Sequence, residues 1–156
     1  MIAAAVLTAS LLLTGVPSET PPVPTLTASK KQPFMTGPQT PYRGKFWLKD
    51  QRDYTLCVLR YESNSNWFST ARAAGYFGGF KFSKPLTYGV TWMMTRELRD
   101  IYGDRTGRTI AQRLRATEMH KWRPFYQHMA FATVLNWEYA GSGQSHWAAQ
   151  RNRCFL

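Results

Sequence analysis

Glu62 is the residue whose type and setting best suit chemistry. It stands in CVLRYESNSNW, residues 57–67, in a chain with nine acidic residues against twenty Lys and Arg. Leu56, Cys57, Val58, Leu59 and Tyr61 make its N-terminal side apolar, and small polar residues follow at once. A carboxyl in partly apolar surroundings keeps its proton to higher pH, because burial disfavours the charged form. That is the state a general acid needs to protonate a glycosidic oxygen. An isolated glutamate at a helix end is more often a surface residue, so its company matters. Ser63, Asn66 and Trp67 come next, then GYFGGFKFS, residues 75–83. Aromatic faces stack on sugar rings, and glycines let the backbone approach a ligand closely.

The other carboxylates make weaker candidates. Glu19 lies in a proline-rich stretch, and Asp50 and Asp53 lie at a domain entrance. Glu97, Asp100 and Glu118 alternate with arginines and read as pairs on helix surfaces. Asp104 sits in a GDRTG turn, and Glu138, beside Gly141, fits either a surface or a site. His120, His128 and His146 lack the i, i+4 pairing of a helical metal site, and no phosphate loop or dinucleotide fingerprint is present. No cofactor and no metal are therefore expected.

The formal charge of +11 and pI near 10.1 imply an anionic partner: nucleic acid, an anionic membrane, or a wall polymer rich in carboxylates and phosphates. A basic solvated surface is the plainer reading. Residues 2–16, IAAAVLTASLLLTGV, are too short for a comfortable span of ~20 apolar residues but fit the apolar core of an export signal. No Lys or Arg precedes the run, so an uncleaved anchor is the alternative. Cys57 and Cys154 are the only cysteines. In an exported protein this pair favours one disulfide closing nearly the whole domain, with two buried free thiols as the other reading.

Seven of the nine prolines fall between Pro17 and Pro41. The chain thus divides into a leader (1–18), a Pro/Thr-rich linker (19–45) and a domain (46–156). Asp53 can cap a helix carrying Tyr54, Cys57, Val58 and Tyr61 at spacings of three and four, stopped by SNSN. The aromatic and glycine-rich segment after it predicts an irregular loop or short hairpin. Pro85 opens a second helix ending at Gly103, RTIAQRLRATEMHKW forms a third, and Pro124 begins a fourth that Gly141 stops. The expected class is α+β, mostly helical, with a small β or loop element after the first helix.

CVLRYESNSNW followed by GYFGGFKFS resembles the lysozyme-like catalytic domains of actinobacterial resuscitation-promoting factors and related lytic transglycosylases. The likeness spans roughly residues 53–92 and returns weakly at HWAAQRNRC. It implies a lysozyme-like fold, Glu62 as catalytic acid, and a bridge from Cys57 to Cys154. Asn66, Trp67, Tyr76, Gly78, Gly79, Phe80 and Lys81 would bind substrate. YAGSG, residues 139–143, resembles a worn Tyr-Asn-Ala-Gly motif, in which the tyrosine supports the acid and which makes Tyr139 a candidate. A packing tyrosine before a turn explains Tyr139 equally well. Two departures stand out: Tyr61 occupies the place where many family members have the cysteine, and Lys81 replaces a common glutamine.

The implied activity is cleavage of the MurNAc–GlcNAc bond of peptidoglycan by a secreted, wall- or phage-associated monomer, with no nucleic acid partner and no stable membrane span. A silent glycan-binding protein of the same fold is the main alternative. A basic helical nucleic-acid binder is a third, weakened by the signal-like leader and the lack of a compact Lys/Arg cluster on one helix.

Overall fold

The computed structural model describes residues 42–150 and 153–155. The leader, and the linker as far as residue 41, lie outside the described residues. Four α-helices frame the described residues: α1 (Arg52–Ser63), α2 (Lys84–Tyr102), α3 (Asp104–Arg115) and α4 (Pro124–Asn136). Between α1 and α2 run three two-residue strands, β1 (Thr70–Ala71), β2 (Tyr76–Phe77) and β3 (Phe82–Ser83). They form an antiparallel sheet in the order β1-β2-β3, with Phe77 opposite Thr70 and Phe82. The class is mostly helical α+β. Among the described residues no helix is long and apolar enough to cross a membrane.

Each element has a local cause. Ser83 caps α2 by accepting from Leu86 N, and Pro85 lies in its first turn. Gly103, at φ 81°, ends it. The polar cluster SNSN stops α1 because Asn64 and Ser65 turn left-handed, sending their N–H groups back to Arg60 O and Leu59 O. Asp53 does not cap α1: Gln51 takes the cap position two residues earlier, the helix starts at Arg52, and Asp53 lies in the first turn. α4 ends at Asn136, short of Gly141, because the Asn136 side chain accepts from Gly141 N and folds the chain back. A 3-10 stretch, Ser142–Gln150, follows with a kink at Trp147; the sequence reading assigned no element there.

α4 is the spine of the core and is buried along its whole length apart from Phe125. Phe131 stacks on Phe80 at 4.1 Å between centroids and packs at a tilt against Trp147 at 4.4 Å, joining the helix to the glycine loop and to the C-terminal stretch. The packed domain also begins earlier than Phe46. Tyr42 is fully buried, and its hydroxyl donates to Glu97 Oε1 at 2.6 Å. Glu97 is accordingly a buried residue of α2, not a member of a surface pair.

Candidate functional site

Glu62 occupies the last turn of α1, where the carbonyl end of the helix disfavours negative charge. It is half-buried. Burial raises its proton affinity above the usual carboxylate range, while a hydrogen bond from Gln150 and the charge of Lys81 pull the other way. Gln150 Nε2 donates to Glu62 Oε1 at 3.2 Å. The ammonium of Lys81 is also shifted toward its neutral form, by burial first, with Glu62 opposing. On both partners desolvation outweighs their mutual attraction, so the pair is not a settled salt bridge. Among the described residues, no second carboxylate is among the charges acting on Glu62.

The loop that presents Lys81 is fixed from several sides. Gln127, fully buried in α4, accepts from Gly79 N at 2.8 Å and donates to Trp67 O and Trp122 O at 2.9 Å each. Trp147 Nε1 donates to Phe80 O at 2.9 Å. Lys81 itself has φ 54°, and its Nζ donates to Ser69 Oγ at 2.6 Å. Asn64, Ser65 and Lys81 are the three non-glycine residues with left-handed backbone among those described. Two lie two and three residues after Glu62, and the third carries the cation that acts on it. Such conformations cost on the order of 1 kcal/mol each and concentrate at functional sites.

Several expected ligand contacts have other work. Trp67 and Phe80 are buried, packed edge-to-face at 5.4 Å, and present no open ring to a sugar. Gly78 and Gly79 are buried too. A Cβ on Gly78 would meet Gln127 Oε1 at 2.6 Å, and one on Gly79 would meet Leu59 Cδ1 at 2.5 Å. These glycines make room for packing that holds the loop. Asn66 is exposed and builds a turn, its Oδ1 accepting from Phe68 N at 3.0 Å. Tyr76 stays open at 45% exposure on β2. Tyr139, 69% exposed after α4, makes no hydrogen bond to Glu62, whose carboxylate is met by Gln150 instead.

Cys57 and Cys154 are bonded, with Cα atoms 5.6 Å apart. Cys57 lies one helical turn before Tyr61, on the same side of α1. Among the described residues no cluster of His, Cys, Asp or Glu could hold a metal ion. Sequence reasoning missed Gln127 and Gln150. A lone glutamine inside the apolar run PFYQHMAFATVL was the available signal for the first. For the second there was none, since Gln150 meets Glu62 across 88 residues of sequence.

Comparison of the chain with family models, curated proteins and solved structures returned no match.

Proposed function

We propose that this chain is a peptidoglycan-cleaving enzyme with a lysozyme-like fold, using Glu62 as its single general acid and base. The observation that carries the reading is a half-buried carboxylate, biased toward its protonated form, at the end of a helix and beside a rigidly held loop. Glu62 would protonate the oxygen between N-acetylmuramic acid and N-acetylglucosamine as that bond breaks. A two-carboxylate mechanism needs a partner ~5–9.5 Å away. With none acting on Glu62 among the described residues, the substrate's acetamido group is assigned to stabilise the cationic centre. The muramic 6-hydroxyl, or water, then attacks while ionised Glu62 takes its proton. The disulfide suits an oxidising compartment, and the charge of +11 suits an anionic wall.

A silent wall binder is favoured by one observation: Lys81 lowers the proton affinity of the carboxyl that must act as acid. The two readings separate when the full chain and its Glu62→Gln variant are incubated with purified cell walls and the released fragments are read by mass spectrometry. Anhydro-sugar fragments from the wild type alone support transglycosylation, and reducing ends support hydrolysis. Walls left uncut by the wild type, yet co-sedimenting with it, would replace the enzyme reading with the binder.

A further inference from the structure

We propose that the Cys57–Cys154 bridge regulates Glu62 through Gln150, the positioning residue that the bridged C-terminal turn holds against the carboxylate. The regulatory meaning rests on the reading of Glu62 as the acid. Gln150 O accepts from Arg153 N at 2.9 Å and from Cys154 N at 2.8 Å, so Gln150 is fixed relative to Cys154. Cys154 is bonded to Cys57, in the helix that bears Glu62. Arg153 O lies 3.4 Å from Cys57 Sγ, and the Arg153 guanidinium lies 5.2 Å from the ring centre of Tyr61. Cys154, Arg153 and Gln150 thus meet α1 at Cys57, Tyr61 and Glu62 respectively, with Gln150 Nε2 on Glu62 Oε1.

A primary amide suits a group that must both give and take a proton. Its N–H donates to a carboxylate, and after a half-rotation its oxygen accepts from a carboxylic acid. The oxygen needed for the second role, Gln150 Oε1, is buried with no hydrogen-bond partner. Lys81, from the glycine loop, is the charged group that acts on the carboxylate; Arg153 lies over the Tyr61 ring, and Arg60 is two residues earlier on α1. Lys81 favours the ionised form, and so does the Gln150 donor. A dithiol that reduces the bridge delivers two electrons and two protons, leaves two thiols and becomes a disulfide itself. The turn then loses its covalent anchor, Gln150 leaves the carboxylate, and Glu62 holds its proton to higher pH.

The test is a carboxyl NMR titration of the full chain labelled with 13C, with the Glu62 signal assigned by its loss in Glu62→Gln. It is run on the oxidised wild type, on Gln150→Leu, and on the wild type reduced by dithiothreitol. The midpoint of Glu62 is expected to move to higher pH in Gln150→Leu and in the reduced protein, with no further movement when Gln150→Leu is reduced. An unmoved midpoint in Gln150→Leu would overturn the positioning role. A shift in Gln150→Leu with none on reduction, or loss of the folded spectrum on reduction, would overturn the regulatory role and leave the bridge structural. The titration reads the carboxyl directly. Failure of the catalytic reading shows instead as walls uncut by the wild type, whatever the midpoint does.

Discussion

Glu62 and Glu97 are both glutamates on helices of one small domain, and the protein treats them in opposite ways. Glu97 sits in the middle of α2, 6% exposed, with Oε1 receiving the Tyr42 hydroxyl and the Lys45 N–H at 2.6 Å each. Those bonds tie the entering segment to the helix, and burial together with the Glu97 bond pushes the Tyr42 hydroxyl well above its usual pKa. Glu62 sits at a helix end, half open, with one longer bond from an amide. Glu97 has been spent on structure, whereas Glu62 keeps an oxygen and a proton affinity that a reaction can use. The number and shortness of fixed donors, not burial alone, separate the two. Glu97 Oε2 is also buried and unpaired, but it belongs to a carboxylate already anchored through its other oxygen.

The largest expected effect removes the frame around Glu62. Cys57→Ser with Cys154→Ser opens a sequence separation of 97 residues. It should cost about 4–5 kcal/mol by loop-closure entropy, read from denaturant unfolding. Next, Glu97→Ala should cost about 3 kcal/mol, since it leaves the Tyr42 hydroxyl and Lys45 N–H without their acceptor. Glu97→Gln, which keeps an acceptor oxygen, should cost less. A loss from Glu97→Ala no larger than that of an exposed-residue variant would erase the contrast.

A smaller effect sharpens the Tyr42 side. His128 is fully buried and accepts from Tyr42 N at 3.3 Å, and burial, with Arg43 nearby, pushes its pKa down to about 3. Between that value and the unfolded value near 6.5 the unfolded chain binds one proton more. Stability should therefore fall as pH drops through this window, by roughly 1.4 kcal/mol per unit from this group. His128→Gln should flatten that slope in melts run from pH 6.5 down to pH 4. The smallest effect lies at Glu62 itself. A carboxyl whose folded pKa is raised destabilises the native state once pH exceeds that pKa, so Glu62→Gln should melt no lower than wild type at pH 7.

The sequence made the helices legible where capping and proline chemistry acted locally. Pro85 and Gly103 bracket α2 and Pro124 opens α4, as read from residue types alone. The SNSN stop of α1 was also plain, and so was the short β element after it. What failed depended on distant partners. Glu97 looked like a surface residue beside Arg96 and Arg99, and it is internal because the distant segment of Tyr42 and Lys45 packs on it. Trp67 and Phe80 had the composition of a sugar platform, yet both are buried, Phe80 under Phe131 of α4 and Trp67 edge-on against Phe80. Within the candidate site, Glu62 and Lys81 could be picked out in sequence, whereas Gln150 meets Glu62 only across the folded domain.

The contrast between the two carboxylates is tested most directly by crossing them: wall-cleavage rate and melting temperature measured side by side on the full-length wild type, Glu62→Gln and Glu97→Gln. Glu62→Gln should lose at least about 100-fold in rate, the low end for a general acid, while melting at or above the wild-type temperature. Glu97→Gln should melt lower and, at temperatures where it stays folded, cleave at the wild-type rate. A Glu62→Gln protein that cleaves walls as fast as wild type would contradict the assignment of Glu62 as the reacting carboxyl.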